Sequence, residues 1–266
     1  MLALGAAVGA AAAISYAALT GPAAPPANYV PDPPEDLPQY QSGCHGGVSE
    51  PKDGKSIPYA AKGIASQRFP TLPLALIEVA CDRANEVALR YEAPGYPADR
   101  AGEWREITWG QYHDKVVRFA KSLLALDPQP FSGVAICGFN APEWFIAHLG
   151  AAFSGCLSAG TYTTSSPDTC AFVAAHSKSV VAVCDTIANA AKYLKIREKI
   201  PTVKQIIVWG EPIPVELRND LLSFTEFLEL GKNIPDDRIQ RIVQDQQPQH
   251  AVALIYTVAL PATLKA

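Results

Sequence analysis

Uninterrupted apolar segments that alternate with helical stretches constrain the fold of this chain more than any other feature. Apolar runs without alternation are typical of parallel strands that are covered on both faces of a sheet. Helical stretches between such strands supply the crossover connections that parallel pairing needs. The sequence therefore predicts an α/β fold, doubly wound, with a largely parallel sheet and helices on both faces. The segments are GVAICG (133–138), CLSAGT (156–161), SVVAVCD (179–185) and VKQIIVWG (203–210).

A final apolar segment, AVALIYT, follows at 251–257. We expect residues 251–256 to form a further buried β-strand. The residues that follow the strand, Tyr256 and Thr257, then stand where a parallel sheet places its ligand-binding loops.

The predicted helices carry recognisable start signals. Thr108 with Gln111 forms a capping-box pattern, and Ser166 followed by Pro167 predicts another helix start. Residues 87–107 read as a β-hairpin with a long loop. The helix after Thr108 has one apolar stripe at helical spacing, made of Tyr112, Val116, Phe119, Ala120 and Leu123.

Residues 1–20 form an apolar N-terminal segment, and its first nineteen residues hold no charge. Its length suits a membrane-anchoring helix, while a cleaved targeting segment or a low-complexity tail remains open. Residues 21–70 are rich in proline and glycine and are predicted to be a linker. We expect the folded domain to span 71–257 and residues 258–266 to be an aberrant tail.

Composition excludes some functions. With 26 acidic and 22 basic residues the net charge is −4, so no nucleic-acid surface is expected. The six cysteines form no CxxC pair, which favours small buried thiols in a reducing compartment over a metal site.

The chemistry is expected in the loops after Gly138, Thr161, Asp185 and Thr257, because ligands bind beyond the carboxyl ends of parallel strands. None of the common phosphate-binding or hydrolase motifs is present. The five histidines are far apart in sequence and are not expected to be catalytic bases. Asp185 could hold a ribose, but we expect it to cap the following helix.

Two motifs resemble the adenylate-forming enzymes, and most of all the long-chain acyl-CoA synthetases of the bubblegum type. The first is N-x-x-E-W, found here as Asn140, Glu143 and Trp144. The second is G-x-Y-x-T-[NS]-S-P. It is found here as Gly160, Tyr162, Thr164, Ser165, Ser166 and Pro167.

The resemblance implies an ATP-dependent ligase that forms an acyl-adenylate and then an acyl-CoA. It implies ATP, Mg²⁺ and coenzyme A as cofactors, and fatty acid and CoA as substrates. Through the apolar segment at residues 1–20 we expect a membrane-associated protein, at the endoplasmic reticulum with a cytosolic domain, or alternatively at a peroxisome or plastid.

The segment AVALIYT resembles the strand before the family's glycine-rich phosphate loop, whose pattern is Y-T-S-G-T-T-G. Only Tyr256 and Thr257 of that loop are matched, so the resemblance assigns them a remnant of the ATP site. Residues 258–266 contain no glycine. We therefore expect an N-terminal fragment that is inactive alone and that needs a protein partner to cover its incomplete core. The alternatives are a membrane-anchored interaction or regulatory isoform and a small α/β nucleotide-binding protein.

Overall fold

The computed structural model describes residues 70–93, 103–248 and 250–256. Helices and strands alternate along most of this length, with two short 3₁₀ turns at Arg197–Lys199 and Val215–Leu217. The helices are α1 (Leu72–Asp82), α2 (Trp109–Ala125), α3 (Pro142–Phe153), α4 (Pro167–His176), α5 (Ile187–Lys195), α6 (Phe224–Leu230) and α7 (Asp236–Asp245). The strands are β1 (Val87–Glu92), β2 (Trp104–Thr108), β3 (Gly133–Cys137), β4 (Leu157–Thr161), β5 (Val181–Cys184), β6 (Gln205–Val208), β7 (Leu221–Ser223) and β8 (Ala253–Leu254).

Six strands form one sheet in the order β7-β6-β5-β3-β4-β8, and every neighbouring pair in it is parallel. The remaining two strands, β1 and β2, pair as an antiparallel hairpin. This arrangement confirms the predicted parallel sheet and the predicted hairpin.

The two faces of the sheet bury different helices. Helices α1, α2, α3, α6 and α7 contribute to the cluster that contains Val134 and Ile136 of β3. Helices α4 and α5 contribute to the cluster on the other face, which contains Ala135 and Cys137 of the same strand. Because side chains alternate across a strand, one strand feeds both cores, and the predicted doubly wound architecture is confirmed.

Helix α2 begins at the predicted capping box. The Thr108 hydroxyl accepts the Gln111 N–H at 3.3 Å, and the Gln111 side chain accepts the Thr108 N–H at 3.0 Å. The predicted stripe of α2 is buried, with Phe119 and Leu123 both fully covered. Ser166 likewise caps α4 by accepting the Thr169 N–H.

The prediction of a buried strand over residues 251–256 is wrong in extent and burial. Only Ala253–Leu254 pairs with a neighbour, and β8 lies at the edge of the sheet. The described residues of this segment are at most half-buried, and Ile255 is 89% exposed. An edge strand has a neighbour on one side only, which is why the apolar sequence is not matched by burial here.

Two elements were not foreseen. Strand β7 has three residues, and α7 is a ten-residue helix rich in charge. Helix α7 nonetheless buries Ile239 and Val243, which stand four positions apart on one helical face.

Several predicted features lie outside the described residues. They are the N-terminal segment at 1–20, nearly all of the linker at 21–70, Cys44, Thr257 and the tail at 258–266. None of the helices in the described ranges is long and apolar enough to cross a bilayer.

Helices α2 and α6 meet at Gly231, the residue that ends α6. A Cβ there would lie 2.4 Å from backbone atoms of Lys121 and Ser122, which cannot move aside as a side-chain end can. We predict that Gly231→Ala lowers the free energy of unfolding by about 2 kcal/mol in chemical denaturation. The matched control is Gly160→Ala, whose Cβ would have its nearest neighbour, in the Trp144 ring, at 4.0 Å. That variant is expected to stay within about 0.5 kcal/mol of the parent. Equal losses in the two variants would contradict the close approach at Gly231.

Candidate functional site

The loops after β3, β4, β5 and β6 converge at the carboxyl edge of the sheet. Parallel pairing places Cys137 beside both Thr161 and Cys184, so these three strands end level with one another. Three of the four loops expected to carry the chemistry are therefore neighbours. This is the carboxyl-edge site.

Asp185 ties the loop after β3 to the start of α5. Its Oδ2 accepts the Phe139 N–H at 3.2 Å, and its Oδ1 accepts the side-chain amide of Asn189 at 2.7 Å. The Thr186 hydroxyl also donates to Oδ1, at 3.1 Å. The expectation that Asp185 caps α5 is wrong. The N-cap is Thr186, whose hydroxyl accepts the Asn189 N–H, because the helix begins one residue later.

Aromatic rings lie across this edge. Gly138 sits so close to Trp209 that a Cβ on it would be 2.5 Å from the indole ring and 2.8 Å from the Asp185 side chain. Phe139 and Tyr162 project into solvent, 75% and 62% exposed. The edge thus presents apolar rings above a hydrogen-bonded polar base.

Lys192 reaches this edge from α5. Its ammonium donates to the Thr163 carbonyl at 2.5 Å, and so holds the loop after β4. The sequence offered a signal for the position of Lys192, although not for its partner, since Asn189 and Lys192 stand three residues apart in the predicted helix. That spacing puts the two on one face of α5, near Asp185, which precedes the helix.

The two family-like motifs contact each other. Trp144, in the first turn of α3, has its ring 4.0 Å from the place where a Cβ of Gly160 would stand. Glu143 precedes it, and burial raises the pKa of its carboxyl, opposed by its own backbone N–H and by Lys115. Asn140 is exposed in the loop between β3 and α3. The Trp144 ring thus lies between α3 and β4 at Gly160.

Tyr256 lies away from the other loops of the site. Its hydroxyl is 2.8 Å from Nδ1 of His176, and its ring meets Phe172 edge-on. His176 ends α4, which starts at the carboxyl edge and runs back toward the amino edge of the sheet. Burial raises the pKa of Tyr256 to about 12, so it is neutral at physiological pH. Its assignment to the ATP site stays a prediction, as does that of Thr257.

Cysteine side chains lie just beneath the edge. Cys137, Cys170 and Cys184 are fully buried in the core that α4 and α5 cover. Burial raises the pKa of Cys137 to about 12 and raises that of Cys184 well above its usual value. These thiols remain protonated and are therefore unreactive, which confirms the predicted buried role.

The described histidines do not converge on this edge. Nδ1 of His148, on α3, is 2.7 Å from the Ser158 hydroxyl of β4. Ser158 is only 3% exposed, so no substrate reaches that hydroxyl. Burial lowers the pKa of His148, because the charged imidazolium is disfavoured away from water.

The described residues alone do not fit a bound nucleotide with its metal. Within 70–93, 103–248 and 250–256, no group of three His, Cys, Asp or Glu side chains is arranged to hold a metal ion. The side chains of Asp185 and Lys192 already make hydrogen bonds that join loops. The Glu211 carboxylate likewise already accepts the Ile187 N–H. This part of the chain is a scaffold with an exposed aromatic edge.

A doubly wound sheet with motif-bearing loops at its carboxyl edge defines a class of α/β ligand-binding domains. The family model described as AMP-binding enzyme matches residues 79–258. The chain belongs to the AMP-binding enzyme family.

Curated relatives point to one branch of that family. The chain is 43% identical over 157 residues to long-chain-fatty-acid–CoA ligase ACSBG2 of Gallus gallus, a match covering 59% of this chain and 20% of the relative. It is 37% identical over 158 residues to ACSBG1 of Homo sapiens, covering 59% of this chain and 22% of that protein. The chain thus spans about a fifth of the length of these relatives. The resemblance to the bubblegum-type synthetases is confirmed.

A solved structure shows the same fold. The anthranilate CoA ligase AuaEII, in complex with anthranoyl-AMP, matches with a TM-score of 0.52 and 19% identity, over 72% of this chain and 33% of that one. At this identity the likeness supports the fold alone.

Asp185 should stabilise the carboxyl-edge site. We predict that Asp185→Ala lowers the free energy of unfolding by about 1–3 kcal/mol, because two amide donors lose their acceptor. Hydrogen exchange of the Phe139 amide should also quicken. The control is Asp220→Ala, which removes an exposed pair with Arg197 and should cost under about 1 kcal/mol. Unchanged exchange at Phe139 would refute the link between the loops.

His148 should make stability depend on pH. Its folded pKa lies below the ordinary 6.5, so the unfolded chain binds a proton first as the pH falls. The contribution is present above pH 6.5 and is lost on acidification. We predict that between pH 7.5 and 5.5 the parent loses more stability than His148→Asn, as measured by urea denaturation. From pH 7.5 to 8.5 the two should change alike. Parallel losses below pH 6.5 would contradict the assignment.

Proposed function

We propose that this chain supplies the N-terminal part of the AMP-binding domain of a long-chain fatty acid–CoA ligase. The observation that carries the proposal is the 43% identity over 157 residues to a ligase of that name. The motif residues support it as well, because Trp144 of the first motif lies against Gly160 of the second, between α3 and β4.

In the proposed reaction a fatty carboxylate attacks the α-phosphorus of ATP, forming an acyl-adenylate and releasing pyrophosphate. The thiol of coenzyme A then attacks the acyl carbon, forming the thioester and releasing AMP, with Mg²⁺ as the ion bound with ATP. The described residues position loops for this chemistry. Asp185 orients the loop after β3, and Lys192 orients the loop after β4.

We assign no catalytic residue to the described part. The sequence after Thr257 contains no glycine, whereas a phosphate-binding turn needs small residues whose backbone N–H groups point at the ligand. The proposal therefore includes inactivity of the 266-residue chain alone. Its apolar residues 1–20 are proposed as a membrane anchor.

The test is a chimeric enzyme in which the matched segment of this chain is placed in the full-length relative. The aligned 157 residues of this chain replace their counterpart in the Gallus gallus ligase, and ATP–pyrophosphate exchange is measured with a long-chain fatty acid. We expect the chimera to keep fatty-acid-dependent exchange, because the two segments are 43% identical. The 266-residue chain alone should show none.

A second chimera that carries Asp185→Ala serves as the matched control. It should be folded but slower, if the loop after β3 has to be held in place. A folded parent chimera without exchange on any fatty acid would contradict the proposal. Turnover by the 266-residue chain alone would contradict its inactivity, and saturable binding of NAD or a flavin by that chain would favour a different nucleotide-binding role.

A further inference from the structure

A cleft of about 560 Å³ opens at the opposite edge of the sheet from the carboxyl-edge site. Its floor lies where chain segments enter strands, at Phe131 before β3, Cys156 before β4 and Val252 before β8. Helix α7 forms one wall. The volume falls within the range of about 300–1,000 Å³ that is typical of small-molecule sites.

The walls of this amino-edge cleft are mainly apolar. Pro128 and Pro130 contribute surface without a backbone N–H, and Phe131 and Ile242 contribute aromatic and aliphatic surface. Ile242 belongs to the same apolar stripe of α7 as Ile239 and Val243, but it is only partly buried against that core. Part of the Ile242 side chain therefore remains available to line the cleft.

Among the described residues, the two arginines of the lining differ in how closely they are paired with carboxylates. Arg241 is engaged twice by Asp237, through its side chain at 2.7 Å and its carbonyl at 3.3 Å. The nearest carboxylate to Arg238 is that of Asp127, at 3.7 Å, which is too long for a hydrogen bond. The lining also contains Asp245, so an anion in the cleft meets one carboxylate as well.

His250 offers a second donor. Its Nδ1 accepts the Gln247 N–H at 3.2 Å, so in the neutral ring the proton is on Nε2. The ring stands edge-on to Phe131, with centroids 5.8 Å apart. The polar imidazole of His250 and the apolar ring of Phe131 are thereby held next to each other.

The loop that forms the floor is conformationally strained. Asp127 and Phe131 have φ values of 48° and 61°, in the left-handed region that non-glycine residues avoid. Phe131 is fixed there by its N–H, which donates to the Gly155 carbonyl at 2.8 Å. Strain of this kind, retained beside a cleft, is typical of ligand sites.

We propose that the amino-edge cleft binds an aliphatic monocarboxylate, with Arg238 and His250 facing the carboxylate and Phe131 and Ile242 contacting the chain. One loosely paired cation, Arg238, suits a monoanion better than a doubly charged phosphate. The site is separate from the carboxyl-edge site, and the proposal does not depend on the ligase assignment.

The test titrates the 266-residue chain with decanoate and with decanol, by calorimetry at concentrations below micelle formation. Decanoate should bind saturably at one site. Arg238→Gln should weaken decanoate about fivefold and leave decanol unchanged, because only the charged contact is lost. Ile242→Gln should weaken both about tenfold. The control Arg197→Gln, on an exposed arginine paired with Asp220, should change neither.

Amide chemical shifts of the unaltered chain give an independent reading that needs no variant. Decanoate should move the resonances of Phe131, Gly155 and Ile242. Lack of saturable binding would overturn the proposal, and so would shifts confined to Phe139 and Tyr162 at the carboxyl edge. Decanoate affinity unaffected by either cleft substitution would overturn it too. Tighter binding of decyl phosphate than of decanoate would overturn the choice of a monocarboxylate.

Discussion

The in-register pairing of β3 with β4 on one side and β5 on the other is the constraint from which the rest of the structure follows. All five residues of β3 are buried, so every backbone donor and acceptor of the strand has to be satisfied inside the protein. Gly133 begins the strand where a Cβ would lie 2.7 Å from both Ser177 and Ser179. Nothing larger than glycine enters the sheet at this point without displacing the turn after α4.

The same strand determines how close the helices approach on each face. Toward α4 and α5 the sheet presents small side chains from its strands β3 and β5, namely Ala135, Cys137, Ala182 and Cys184, while β6 adds larger ones to the same cluster. Toward α2 and α3 it presents larger ones, including Val134 and Ile136. At β3 and β5 the two faces thus differ in side-chain volume, and the thiols serve there as small apolar groups.

Prediction from sequence succeeded where local signals and tertiary packing agree. Helix α2 has a capping box at Thr108 and a continuous apolar stripe, and both are realised. Helix α7 has an apolar stripe at helical spacing, formed by Ile239, Ile242 and Val243. The helix was not predicted, because most of its residues are charged or polar. For β8 the prediction overestimated both length and burial, because an apolar sequence cannot reveal whether a strand has neighbours on one side or on two.

The sequence predicted which loops form the site, but it did not predict the side-chain contacts between those loops. The alternation of strands and helices placed the loops after Gly138, Thr161 and Asp185 at one edge. It could not show that the Asp185 carboxylate reaches the Phe139 amide, 46 residues away in sequence. Nor could it show that Lys192 holds the Thr163 carbonyl, because side-chain reach depends on how α5 lies against β5.

Tyr256 shows how an edge strand decides the position of a candidate site residue. Extending the register of Ser158 with Ala253 and Ala159 with Leu254 would bring Tyr256 beside Thr161, at the carboxyl edge. Instead its hydroxyl meets His176 and its ring meets Phe172. Extending the pairing of β8 with β4 would also fix Ile255 in the sheet. That residue is 89% exposed, and pairing alone would not bury it. A strand laid along the outer side of β8 would cover Ile255 and so favour the extended register. The placement of Tyr256 therefore depends on what covers that edge, and its contact with α4 is favoured when the edge is open.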